Sequence, residues 1–142
     1  MSEVKIETNW VENYTFISHN EDHQSVVMDA QVASEDHKIA PSPMEMVLMG
    51  LTGCAGIDVK MILSKARQNV RSIHIQATGE RADSVPSVYT KIHLHFSVSG
   101  ENLSTKQVAR AVQLSAEKYC SVSKMLEQSV AISHDYSVKS AE

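Results

Sequence analysis

The segment from Pro41 to Arg67, PSPMEMVLMGLTGCAGIDVKMILSKAR, constrains the fold more than any other part of the chain. It predicts one long helix, because Ser42 suits the N-cap, Pro43 suits the first helical position, and Glu45 completes an S-x-x-E capping box. The stretch Val47 to Ala55 carries no charged residue. A helix that is apolar on most sides is typically buried, so we expect the rest of the chain to be arranged around it.

Three glycines lie within this helix at a spacing of three residues, Gly50, Gly53 and Gly56. Each costs roughly 0.5–1 kcal/mol relative to alanine in a helix interior, so a compensating close contact is expected. We infer that another helix packs tightly against the glycines. Cys54 lies inside the same run, near the middle of the predicted helix.

Length and composition indicate one ordinary domain over residues 1–142, since 142 residues with 42% hydrophobic content can bury a core. A net charge of -4 without any Lys/Arg-rich run argues against nucleic acid as a partner. The first ten residues lack the features of a signal peptide, and the longest apolar run is shorter than the roughly 20 residues that span a bilayer. We therefore expect a soluble, cytoplasmic protein with no membrane partner.

Alternating apolar and polar residues predict strands on both sides of the helix. The predicted elements are strands at 4–10, 14–19 and 24–30, a loop at 31–40, the long helix, strands at 70–80 and 88–100, a second helix opened by Ser104 and Gln107, a short helix at 121–128, and a last strand at 130–140. The order is β-β-β-α-β-β-α-(α)-β. It indicates an α+β fold with antiparallel sheets around a long buried central helix.

The chain has two cysteines, Cys54 in the long helix and Cys120 at the end of the second. In a reducing compartment such cysteines are more often free, catalytic or redox-active than part of a structural disulfide. A disulfide requires Cα atoms within about 7 Å, which sequence alone does not establish. The alternative for each is a small buried apolar residue.

Two motifs, SPMEMVLMGLTGCAGID and the later AEKYCSVS, resemble the OsmC/Ohr family. Its members carry one cysteine midway along a central helix opened by a proline-containing turn and another after a second helix. The nearest likeness is to the OsmC-like subgroup whose central helix starts S-P-M-E-M-V-L-M, and the likeness covers nearly the whole chain. The resemblance implies the OsmC fold and an intertwined homodimer with its sites at the subunit interface.

The resemblance also implies a cofactor-free, thiol-dependent peroxidase that reduces organic hydroperoxides in oxidative-stress defence. Cys54 would be the peroxidatic residue, oxidised to a sulfenic acid, and Cys120 would resolve it as a disulfide. A dithiol reductant would then restore both thiols. The alternative is an OsmC-fold dimer that binds a small apolar or electrophilic ligand without efficient turnover.

Only a thiolate is nucleophilic, and an apolar site raises the pKa of a thiol unless a cation lies close. The family's hydroperoxide reductases use an Arg from the N-terminal strands paired with a Glu near the start of the central helix, whereas here no Arg precedes Arg67. Asp58, four residues after Cys54, would add a like charge. The remaining cation candidates, each alternatively a solvated surface charge, are Arg81, Arg110 and Lys118.

Glu45 is the candidate for the catalytic carboxylate, although it stands one residue beyond the position that the family's motif predicts. Its alternative role is only to cap the helix with Ser42. His93 and His95 share one strand face with His74 on the neighbouring strand, a spacing that suits zinc. The alternative for these histidines is a solvated polar sheet face.

Overall fold

The computed structural model describes residues 2–33 and 37–141, so residues 34–36 of the predicted loop at 31–40 lie outside the described part. The chain divides into two compact units, Met1–Val47 and Leu48–Glu142. The expectation of one domain over residues 1–142 stays a prediction. The mixed α+β class and the predicted order of elements are confirmed.

The first unit contains a three-stranded antiparallel sheet of β1 (Glu7–Glu12), β2 (Thr15–His19) and β3 (Ser25–Met28). This is the predicted meander, with β1 starting three residues later than expected. Asp29 fixes the chain after β3, because its carboxylate accepts hydrogen bonds from the Ala30 N–H at 2.8 Å and the Ile39 N–H at 2.9 Å. Many of the unit's large apolar side chains remain exposed, among them Ile6, Trp10, Val11, Phe16, Val26 and Val27.

The long helix α1 runs over Pro43–Lys65, as the sequence predicts. The capping box is formed in both directions: the Ser42 N–H donates to Glu45 Oε1 at 2.9 Å, and the Glu45 N–H donates to Ser42 Oγ at 3.2 Å. At the other end Arg67 adopts a left-handed φ of 57°. The Arg67 N–H then donates to the Ser64 carbonyl and the Gln68 N–H to the Leu63 carbonyl, both at 3.0 Å, which closes the helix in a Schellman motif.

Only one stripe of α1 is buried within the second unit, formed by Leu51, Ala55, Val59 and Leu63. Other apolar side chains of α1 are open, and Ile57 is 67% exposed. A side chain added at Gly50 or Gly53 would meet nothing within 4 Å. The expectations of burial on most sides and of a helix packed on the glycines are therefore wrong for a single chain, since one chain covers only one side of α1.

The second sheet contains β4 (Asn69–Arg81), β5 (Tyr89–Glu101) and β6 (Ala131–Ala141), in that order. β4 and β5 form an antiparallel hairpin, but β6 pairs with β5 in parallel, with Phe96 opposite Tyr136. The prediction of antiparallel sheets is wrong for this one, which is mixed. The helices between β5 and β6 carry the chain back to the end of the sheet at which β5 begins. β6 therefore runs in the same direction as β5, and the two strands pair in parallel.

Those crossover elements are α2 (Thr105–Leu114), a five-residue π-helical turn (Ser115–Tyr119) and α3 (Ser121–Leu126). Ser104 caps α2 as predicted, accepting a hydrogen bond from the Gln107 N–H at 3.2 Å. The core of the second unit combines the α1 stripe with alternate residues of β5 and one face of α2: Ile92, Leu94, Phe96, Val98, Val108, Ala111 and Val112.

By length and composition alone, α1 is long and apolar enough to cross a membrane. The expectation that the apolar run is too short is therefore wrong. Its buried stripe, however, lies in the core of the second unit beside β5 and α2. A stripe packed on its own sheet is the arrangement of a core helix in a soluble protein.

Replacement of Leu63 by alanine tests this core. Leu63 is 0% exposed, so Leu63→Ala should lower the free energy of unfolding by about 2–5 kcal/mol. Val85→Ala is the matched control, because Val85 is 99% exposed and its truncation should change stability by less than about 0.5 kcal/mol. Urea denaturation at one fixed protein concentration measures both. Equal effects would mean that the α1 stripe is not a core.

Candidate functional site

The two cysteines meet in the second unit. The sulfurs of Cys54 and Cys120 and a carboxylate oxygen of Asp58 all lie within 4.8 Å of one another. Both cysteines are free thiols; Cys54 is half-buried and Cys120 fully buried. The sequence did not establish whether Cys54 and Cys120 lie close together, and the structure shows that they do. We refer to these three residues as the thiol–carboxylate cluster.

Helix geometry explains why Cys54 and Asp58 come together, since residues four apart lie on one face of a helix. Cys120 is placed by the π-helical turn at the end of α2. Its N–H donates to the Ser115 carbonyl at 2.9 Å, and its backbone then becomes extended and caps α3. π-helical turns are rare and often mark functional sites. Sequence periodicity alone did not reveal this one.

Ser115 joins the π-helical turn to α1. Its hydroxyl is fully buried and lies 3.2 Å from the Ala55 carbonyl and 3.4 Å from Asp58 Oδ2, so it can donate to either oxygen. From the sequence, Ser115 was not predicted as a site residue, and Asp58 was predicted only as a like charge. The available signal was a serine that continues the apolar stripe of the second predicted helix, where a buried hydroxyl needs a partner.

The two thiols differ in their surroundings. Burial raises the pKa of the Cys120 thiol to about 11; the Ser123 N–H, 3.4 Å from Cys120 Sγ, acts in the opposite direction, and the neighbouring Cys54 and Asp58 raise the pKa further. Cys120 is therefore a protonated thiol at neutral pH. Its sulfur lies 4.0 Å from the Leu51 carbonyl oxygen of α1, to which the thiol can donate a weak hydrogen bond.

Asp58 also borders a cavity of about 680 Å³ whose lining includes Lys65, Arg110 and Tyr119. Of the predicted cation candidates, Arg110 is the one that lines this cavity. Two candidates contact aromatic rings instead, with Lys118 Nζ 5.2 Å from the ring centre of Tyr119 and the Arg81 guanidinium 5.9 Å from that of Tyr89. Lys65, which the sequence analysis did not single out, is a second basic side chain at the cavity.

Glu45 belongs to the first unit, where its Oε1 lies 2.6 Å from Lys38 Nζ and 2.9 Å from the Ser42 nitrogen. Lys38, followed by the N–H and hydroxyl of Ser42, lowers the pKa of the Glu45 carboxyl to about 2. The helix-capping role is confirmed. A catalytic role for Glu45 stays a prediction.

The strand histidines belong to a polar sheet face. His93 Nε2 and His95 Nδ1 lie 2.9 and 2.7 Å from the same oxygen of Asp135. Within residues 2–33 and 37–141, the one group of three His, Cys, Asp or Glu ligand atoms mutually within 4.8 Å is the thiol–carboxylate cluster. Its two sulfurs and one oxygen are atoms that a thiophilic metal ion can bind. The zinc hypothesis for His74, His93 and His95 gains no support.

Comparison with known proteins identifies the family. Residues 34–135 match the family model described as OsmC-like protein. The chain belongs to the OsmC/Ohr family. The Escherichia coli K12 protein YhfA is 48% identical over 132 residues, which cover 93% of this chain and 96% of YhfA. A solved structure of a hypothetical protein from Aquifex aeolicus VF5 is 30% identical, with a TM-score of 0.88 and complete coverage of both chains.

Among OsmC-fold structures, that of a Legionella pneumophila protein shows how far the likeness extends. Described as an organic hydroperoxide resistance protein OsmC and predicted redox protein, it is 10% identical, with a TM-score of 0.69 and coverage of 97% and 98% of the two chains. At that identity the likeness establishes the fold alone. The two thiols of this OsmC-family chain thus lie in a fold that proteins of hydroperoxide resistance also use.

The Glu45–Lys38 contact of this OsmC-family protein should be visible in its acid stability. Because the folded pKa of Glu45 is about 2 and its ordinary value 4.5, the ionised carboxylate stabilises the fold above about pH 4.5, and this contribution is lost as the pH falls toward 2. Glu45→Gln keeps a capping side chain but removes the charge. Thermal unfolding followed by circular dichroism should show a lower Tm than wild type at neutral pH and a shallower loss of Tm between pH 4.5 and 2.

Glu21→Gln in an exposed turn is the matched control and should follow the wild-type curve. If the Tm of Glu45→Gln falls as steeply between pH 4.5 and 2 as the Tm of the wild type, the contact between Glu45 and Lys38 does not form in solution.

Proposed function

We propose that this protein is a thiol-dependent peroxidase that reduces organic hydroperoxides through Cys54 and Cys120. The observation that carries the proposal is the approach of two free cysteine sulfurs to within 4.8 Å, one half-buried and one fully buried. Family membership supports it, since structures described as organic hydroperoxide resistance proteins share the fold. No cofactor is required for this chemistry, and we propose that it takes place in the cytoplasm.

The difference in burial supports the two proposed roles. Cys54 is the more accessible sulfur, so its thiolate attacks one peroxide oxygen; the O–O bond breaks, the alcohol leaves with a proton, and Cys54 becomes a sulfenic acid. Cys120, a buried thiol with a pKa of about 11, does not compete for the peroxide. It then attacks the Cys54 sulfur, forming a disulfide and water, and a dithiol reductant restores both thiols.

The cavity beside Asp58 suits a small organic peroxide. Its lining is about equally apolar and polar: Met61, Ile62, Ala66 and Leu114 on the apolar side, and Asp58, Lys65, Gln107, Arg110 and Tyr119 on the polar side. Small-molecule sites combine apolar walls with polar groups that orient the ligand. The Met and Ile side chains would receive the alkyl part of the substrate.

The active form is proposed to be an intertwined homodimer. On the exposed side of α1, Ile57 and Met61 line an open groove of about 750 Å³ next to β4, while Gly50 and Gly53 face open space. Large apolar side chains left exposed on one side of a helix, here Met49, Ile57 and Met61, are the kind of surface that a protein partner covers. A second copy of the chain is the partner that the family resemblance implies.

One observation favours a second candidate function, the binding of a small apolar or electrophilic ligand without efficient turnover. Asp58 places a carboxylate rather than a cation beside the two sulfurs, whereas reactive cysteines usually lie next to a cationic group. In the same direction, the sequence holds no Arg before Arg67. A ligand that the cavity binds would then react slowly or not at all.

Peroxide consumption by the two single-cysteine variants distinguishes these functions. With an alkyl hydroperoxide and dithiothreitol, the wild type should turn over, whereas Cys54→Ser should lose activity by roughly 100-fold or more because the nucleophile is gone. Cys120→Ser should still form one sulfenic acid per chain, measured by mass spectrometry after trapping. If the wild type consumes every peroxide tested no faster than Cys54→Ser does, the peroxidase function is wrong and the ligand-binding function is favoured.

A charge on the exposed side of α1 tests the homodimer. Ile57→Asp places a carboxylate on the apolar groove, so it should convert a dimer to a monomer in size-exclusion chromatography with light scattering. Val85→Asp, at a 99% exposed position, is the matched control and should keep the wild-type mass. A wild-type protein that is already monomeric at micromolar concentration would refute the assembly.

A further inference from the structure

We propose that Asp58 is the proton carrier of the resolving step, taking the proton from the Cys120 thiol and passing it to the departing hydroxyl of the Cys54 sulfenic acid. The inference rests on the proposed peroxidase function and gives a specific role to a residue that the first step would not require. It assigns Asp58 as a catalytic residue and Ser115 as its positioning residue.

The geometry of the cluster supports this role. A carboxylate oxygen of Asp58 lies within 4.8 Å of both sulfurs. It is therefore near both the thiol that loses a proton and the oxidised sulfur whose hydroxyl receives one. The buried Ser115 hydroxyl lies 3.4 Å from Asp58 Oδ2 and 3.2 Å from the Ala55 carbonyl, so it restrains the carboxylate at this place.

The resolving step needs such a group because Cys120 is buried and holds its proton firmly. With a pKa of about 11, only on the order of one Cys120 in 10⁴ is a thiolate at pH 7. The groups around it are Cys54 and Asp58 on α1 and the Ser123 N–H on α3, while Lys65, Arg110 and Tyr119 line the cavity beside Asp58. Of these, the carboxylate is the proton acceptor close to both reacting sulfurs.

The step balances without an external reagent. The S–O bond of the Cys54 sulfenic acid breaks and the S–S bond forms, so the Cys120 sulfur is oxidised while the Cys54 sulfur is reduced. The Cys120 proton moves to Asp58, and Asp58 gives it to the leaving hydroxide, which departs as water. The carboxylate is regenerated. Proton transfer by a positioned group typically contributes 10²–10⁴-fold to a rate.

This role explains why a carboxylate is placed beside a nucleophilic cysteine. In the first step it leaves Cys54 without the nearby cation that usually activates a nucleophilic thiol. In the second step the same carboxylate is a base for Cys120. Removal of its charge should therefore slow the second half-reaction and not the first.

The test measures the two half-reactions separately in Asp58→Asn. After rapid mixing of the reduced protein with one equivalent of an alkyl hydroperoxide, sulfenic acid is trapped with a 1,3-diketone and disulfide is counted by mass spectrometry. Sulfenic acid should form at least as fast as in wild type, whereas its conversion to disulfide should be 10²-fold or more slower. That slow conversion should accelerate about tenfold per pH unit up to the pKa of the Cys120 thiol, which loss of the Asp58 charge lowers from its wild-type value.

Three further variants complete the test. Asp58→Glu should recover part of the second rate, and Asp83→Asn, in an exposed loop, should leave both rates at wild-type values. Ser115→Ala leaves the carboxylate in place but removes its restraint, so it should slow disulfide formation alone, to a smaller extent.

Disulfide formation in Asp58→Asn at the wild-type rate and with the wild-type pH profile would overturn the proposal. So would equal slowing of both half-reactions in Asp58→Asn and Ser115→Ala, which is the signature of a structural role. Failure of the peroxidase function itself is distinguishable, because the wild type would then form no sulfenic acid.

Discussion

The contact between the Ala55 turn of α1 and the π-helical turn after α2 is the interaction on which the candidate site depends. The Ser115 hydroxyl lies 3.2 Å from the Ala55 carbonyl, and the Ser115 carbonyl accepts the Cys120 N–H at 2.9 Å. One residue thus fixes the distance between the helices and the position where the second cysteine leaves the turn. If α2 ended as a regular α-helix without the π-helical turn, the chain would contain one residue fewer per turn at this point. Cys120 would then point in a different direction around the helix axis.

The same contact creates two unlike thiols from one residue type. Cys54 stays half-buried on the side of α1, whereas Cys120 sits under the turn with 0% exposure and its pKa raised to about 11. Different surroundings allow neighbouring groups of one kind to receive different tasks. Burial of Cys120 therefore does more than fill the core, because it leaves Cys54 as the more accessible of the two sulfurs.

Local signals predicted much of this structure. Ser42 and Glu45 fixed the start of α1, and strand alternation placed β4 and β5 within one residue of their observed limits. The parallel pairing of β6 depends on the path of the crossover, which strand periodicity does not encode. The roles of Ser115 and Asp58 were missed for a related reason. They depend on a contact between α1 and the π-helical turn, which are distant in sequence, and in the sequence Ser115 continues the packing stripe of the second helix like one more packing residue.

The exposed side of α1 shows a further limit of sequence patterns and also links assembly to chemistry. An apolar helix requires cover, but its sequence does not say whether the cover comes from its own chain or from another. Here its own chain covers the Leu51 stripe, while Gly53 and Ile57 on either side of Cys54 stay exposed. Any partner that covers Gly53 and Ile57 also removes water from the surroundings of Cys54. Since charge interactions strengthen as water is excluded, such a partner would increase the effect of Asp58 on the neighbouring Cys120 thiol.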